Sequence, residues 1–129
     1  MDEGMTMRFR GLPAALALSL LLPVAAWAGK ADIVAVEVAR EAGGTYGFDV
    51  TVKSDDTGWD KYADRWEVLS PGGQVLGTRI LHHPHETEQP FTRSLSGVAI
   101  SPDISSVTVR AHDKVEGYGG RQMTVELPR

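Results

Sequence analysis

The sequence predicts an all-β sandwich of seven short strands behind a cleaved signal peptide. Three features lead there. Val, Ile and Thr recur in short runs broken by Gly, Pro, Asp and Ser, which is the rhythm of a sandwich or a barrel. No stretch sustains a helical period. The chain opens with Arg8 and Arg10, an apolar stretch from Leu12 to Ala26, and the small-x-small signature Ala26-Trp27-Ala28, the order of an export leader.

The apolar stretch contains Pro13, Ser19 and Pro23 and falls short of the roughly 20 residues that span a bilayer. No stable membrane span is therefore expected after cleavage; the alternative is a retained N-terminal anchor. Asp2 and Glu3 are unusual ahead of such a leader, and translation from Met5 or Met7 would remove them. The expected division is 1–28 as signal peptide and 29–129 as one domain, with the mature protein periplasmic or secreted.

The chain carries 13 Lys plus Arg against 17 Asp plus Glu and no Cys. Its charges are interspersed, so the basic stripe of a nucleic-acid binder is missing. Without Cys there is no thiol catalyst, thiolate metal site, iron–sulfur site or cysteine-linked lipid. Nor is there a disulfide to support a small exported domain, which leaves packing and strand pairing to hold it.

The strands follow in order. Ile33–Val38 alternates apolar residues with Ala35 and Glu37, and Gly43-Gly44 turns the chain. Tyr46–Lys53 places Tyr46, Phe48, Val50 and Val52 on one face and Asp49, Thr51 and Lys53 on the other. After a polar loop, Arg65–Ser70 carries Trp66 and Val68, and Pro71-Gly72-Gly73 reverses into Gln74–His82. Phe91–Val98 is the fifth strand, with Phe91 as a core plug and Arg93 able to reach an acidic residue of the neighbouring loop. Ile104–His112 is the sixth, with Val107, Val109 and Ala111 inward. Arg121–Leu127 closes the series with Met123, Val125 and Leu127 aligned. Seven strands in about 100 residues is the sandwich count. A small barrel is the alternative, and Asp55–Arg65, which contains Gly58, has room for no more than one helical turn.

The stretch Val107-Thr-Val-Arg-Ala-His-Asp113 followed by Gly117-Tyr-Gly-Gly120, with Trp66 on the third strand, resembles fibronectin type III and related immunoglobulin-like domains. That resemblance implies a seven-stranded immunoglobulin-like or fibronectin type III-like sandwich, with Trp66 in its core. It departs from the pattern where Ile104 and Val107 stand in place of the usual tyrosine, and in lacking the immunoglobulin cysteine pair. The fold alone assigns no function.

Function is sought at one pole. Strand order brings Ser54–Lys61, His83–Pro90 and Asp113–Gly120 to the same end. His82, His83, His85, His112 and Asp113 are expected to converge there, near Glu86 and Glu88. Imidazole nitrogens with carboxylates suit copper or zinc, so a divalent metal site is the first expectation. Its competitor is a metal-free interaction or structural module of the cell envelope with a protein partner, using the same loops or a sheet edge. The glycines around Tyr118 are read first as permitting a tight turn and Trp59 as a cover over the sandwich end; in the interaction reading Trp59, Tyr62 and Tyr118 are the candidate contact residues. No serine lies in a nucleophile elbow, and His112-Asp113 adjacency alone does not orient a general base. A non-catalytic protein is expected.

Overall fold

In the computed structural model, residues 29–129 are described; the predicted leader lies outside them. Seven strands follow in order: β1 (Asp32–Arg40), β2 (Tyr46–Lys53), β3 (Ala63–Leu69), β4 (Val75–Ile80), β5 (Phe91–Val98), β6 (Ser106–Asp113) and β7 (Met123–Glu126). They form two antiparallel sheets, ordered β1-β2-β5 and β4-β3-β6-β7. The chain is thus all-β with a sandwich-like, two-sheet architecture, and the barrel alternative is not adopted. No helix among the described residues is long and apolar enough to cross a membrane.

Alternation explains the core. Every second residue of β2 and of β6 is buried, namely Tyr46, Phe48, Val50 and Val52 on one and Val107, Val109, Ala111 and Asp113 on the other. Trp66 and Val68 of β3, Phe91 and Val98 of β5 and Ile33 of β1 fill the space between the sheets. Trp66 has no exposed surface and is the largest fully buried side chain. A cluster of this kind supplies the burial that offsets the absent disulfides.

The strands end earlier or later than alternation predicts in places that matter. β4 stops at Ile80, because Leu81 turns inward, 2% exposed, and donates its amide to the Asp64 carbonyl at 3.0 Å. His82 therefore belongs to the loop. β3 begins at Ala63, two residues before the expected Arg65. Residues 55–62 form no helix; the Lys61 amide bonds the Gly58 carbonyl at 3.1 Å in a tight turn.

The open flanks of the two sheets are laced together. On one flank Arg79 Nη1 of β4 donates to the Ser94 carbonyl of β5 at 2.6 Å. On the other, the Ile33 amide donates to the Arg121 carbonyl at 2.9 Å and the Arg121 amide to Asp32 Oδ1 at 2.7 Å. Gly120 is required there, since a Cβ would sit 1.9 Å from the Ala31 carbonyl oxygen. These ties bring the start of β1 and the β6–β7 loop to the same pole.

Candidate functional site

Three loops meet at that pole. The Asp56 carboxylate accepts the Ala63 amide at 2.9 Å and the His85 amide at 2.8 Å, joining the β2–β3 loop to the β4–β5 loop. Gln89 Oε1 accepts the Ser54 amide at 2.9 Å. The Lys114 amide donates to the Tyr62 carbonyl at 2.9 Å, adding the β6–β7 loop.

The expected metal centre is not formed. Among the described residues no three His, Cys, Asp or Glu side chains come together in a way that would hold a metal ion. Copper and zinc are therefore withdrawn as cofactors. The cause is strand alternation. His112 and Asp113 are neighbours on β6, so they face opposite sides of the sheet. His112 lies on the outer face with Nδ1 2.7 Å from Asp64 Oδ1. Asp113 lies inside, fully buried, and accepts Lys61 Nζ at 2.9 Å and the amides of Val115 and Glu116 at 2.9 and 2.8 Å.

The loop histidines diverge as well. His85 is buried, its ring stacked on Phe91 at 3.9 Å and its Nε2 2.9 Å from Arg93 Nη2. Burial, followed by the charges of Arg93 and His83, holds its imidazole below the ordinary value of 6.5. A buried ring facing a guanidinium is a packing element of the pole. His83 is exposed with its ring 4.8 Å from that of His85, and His82 is exposed. Arg93 reaches Glu88 at 3.2 Å, the acidic loop partner expected of it.

What the pole does present is aromatic. Trp59 occupies the tip of the turn closed between Gly58 and Lys61, and 61% of it is exposed. It is nonetheless held. Tyr62 meets its ring edge-on at 5.7 Å, and Lys114 Nζ donates to its carbonyl at 2.8 Å. Val115, also 61% exposed, stands on the next loop.

Tyr118 takes a different place from a loop tip. The Asp113 and Gly117 backbones pair in both directions, at 2.9 and 2.8 Å, and Gly117 has φ +77°. That left-handed turn folds Tyr118 back over the outer face of β3 and β6. Its hydroxyl donates to Glu67 Oε2 at 3.1 Å and accepts from Arg65 Nη2 at 2.7 Å. The Arg110 guanidinium lies 3.8 Å over its ring, and His112 meets it at 4.7 Å. Burial alone would raise the Glu67 carboxyl. Hydrogen bonds from Arg110 and Tyr118 and the Arg110 charge outweigh it, holding the group below its ordinary value.

Arg65, Glu67 and Arg110 were absent from the expected site. The signal was present in the pattern: Thr108, Arg110 and His112 alternate with the core residues of β6, while Arg65 and Glu67 stand two apart on the neighbouring strand. Two paired strands with polar outer positions of opposite charge foretell a cross-strand array.

No protein-family model matches this chain, and no solved structure matches it. Among curated proteins it is 41% identical over 97 residues to a protein of Halomicrobium mukohataei described as "Putative lipoprotein". The aligned region is 75% of this chain and 47% of that protein, so the chain spans about half the length of the curated relative it matches.

Proposed function

We propose that this chain is an exported, metal-free and non-catalytic module that binds another protein through the loop pole and the adjoining outer face of the β4-β3-β6-β7 sheet. The observation that carries the reading is Trp59, displayed with 61% of its surface in solvent yet braced by Tyr62 and Lys114. Covering it would contribute about 2 kcal/mol of apolar burial, the scale of an interface hot spot. The bracing lowers the ordering cost a partner would otherwise meet. Tyr118, Arg65, Arg110 and His112 continue the surface, and Tyr and Arg are the residues interfaces favour.

Export is supported by the leader pattern of residues 1–28 and by the description of the Halomicrobium relative. This chain has no cysteine for a thioether-linked lipid. A fibronectin type III-like identity is supported by strand order. The fourth strand pairs with the third, instead of joining the first sheet as in the constant-type immunoglobulin arrangement.

A sheet edge is the weaker contact. β4 turns Arg79 toward β5, β1 is bulged between Ile33 and Ala35, and β7 is four residues long. These devices discourage edge pairing. The test is affinity capture from native envelopes with the tagged full chain, run with chelator throughout. A stoichiometric partner is expected with the wild type and with Glu37→Gln on the opposite sheet, but not with Trp59→Ala. Equal recovery by Trp59→Ala, or no partner at all, would refute the reading.

A further inference from the structure

We propose that the outer face of the four-stranded sheet recognises an aspartate or glutamate side chain of the partner, gripped by the two Nη groups of Arg110. This rests on the interaction reading above and specifies the partner's chemistry.

Arg110 is held but not used up. Its Nε donates to Glu67 Oε1 at 2.9 Å, and its guanidinium carbon lies 3.8 Å from the centre of the Tyr118 ring. Tyr118 is itself fixed through its hydroxyl to Glu67 and Arg65. Nε and one face of the guanidinium plane are thereby committed. Among the described residues neither Nη makes a hydrogen bond, and neither is shut off from solvent. Glu67 Oε2 is served by Arg65 Nε at 3.3 Å and the Tyr118 hydroxyl at 3.1 Å, so Glu67 draws only on Arg110 Nε, for its Oε1, and not on either Nη. What is left over is a guanidinium fork of fixed orientation, the geometry that matches a carboxylate in two parallel hydrogen bonds. His112, two residues along β6 on the same face, keeps Nδ1 on Asp64 and leaves Nε2 without a protein partner and open to solvent.

Charge selects the anion. Arg65 and Arg110 are matched by Asp64 and Glu67 within the array, so these four formal charges cancel. A phosphate dianion would meet those two carboxylates with about twice the charge of a side-chain carboxylate, and a polyanion would find no basic stripe to follow. A single carboxylate placed on the Arg110 fork meets complementary hydrogen-bond donors there.

The experiment uses two blocked peptides, identical except that one carries glutamate and the other glutamine. Each is titrated into isotope-labelled protein while arginine Nε–H and backbone amide signals are recorded. The glutamate peptide is expected to move the Arg110 Nε–H signal saturably, with a dissociation constant on the order of millimolar, and the glutamine peptide to leave it unmoved. Arg110→Lys keeps the charge and loses the fork, so glutamate-peptide affinity should fall about tenfold or more. The carboxylate anchor is overturned if both peptides give the same shifts, if neither binds, if Arg110→Lys binds as the wild type does, or if a phosphoserine peptide binds more tightly. The wild-type peptide comparison stands even if that variant fails to fold. Envelope capture that needs Trp59 but survives Arg110→Lys would overturn this anchor alone and leave the interaction reading in place.

Discussion

Asp113 shows how one buried carboxylate organises the pole. It has no exposed surface, and its oxygens take the Lys61 ammonium and the amides of Val115 and Glu116. Lys61 also donates to the Gly29 carbonyl at 2.6 Å, so the same contact fastens the start of the domain. Asp113→Ala would strand a mostly buried ammonium and two amides, and should destabilise the fold by about 3 kcal/mol; denaturant unfolding measures this. His85 is the second telling residue. Its imidazole is held below 6.5 chiefly by burial, so between that lowered value and 6.5 the unfolded chain binds more protons than the folded one. Stability from this group is present above about pH 6.5 and is lost as pH falls through the folded value. His85→Phe keeps the stack on Phe91 and removes the titration. Its unfolding free energy should decline less than that of wild type as pH falls below about 6.5; equal declines would show that another group controls this window.

Among the elements, β4 is where sheet pairing is held in check. It is an edge strand with Val75 and Ile80 each about half exposed, the kind of surface that templates another chain. Arg79 counters this by pointing toward β5, where it bonds the Ser94 carbonyl. Arg79→Val should leave an uncharged β-branched edge and yield dimers or larger species in size-exclusion chromatography at concentrations where the wild type elutes as a monomer. Much of this element order was legible in the sequence. Period-two runs located all seven strands, and the inward faces of β2, β3 and β6 follow directly from Phe48, Trp66, Val107 and their alternates. Strand ends were less legible. Where β4 stops depends on Leu81 turning into the core, a tertiary effect that local alternation does not encode.

At the scale of the whole molecule, strand order brought the three loops together as expected, while side-chain direction separated the residues meant to act there. Sequence could place His112 near His85 along the chain path. It could not weigh Asp64, Arg93 and Phe91 as competing partners for those rings, because these contacts join different strands and loops. The aromatic surface was half legible: Trp59 and Tyr62 could be placed at the pole, but the fold-back of Tyr118 onto Arg65, Glu67 and Arg110 depends on the turn at Gly117. Among the described residues the molecule offers one ordered face and one exposed, braced tryptophan, Trp59, and the account requires that tryptophan to be covered in its native setting. Hydroxyl-radical footprinting of Trp59 and Tyr62, compared between purified protein and intact envelopes in the presence of chelator, tests this most directly. Strong oxidation in the purified protein and clear protection in the envelope are the predicted result; equal oxidation in both would contradict it.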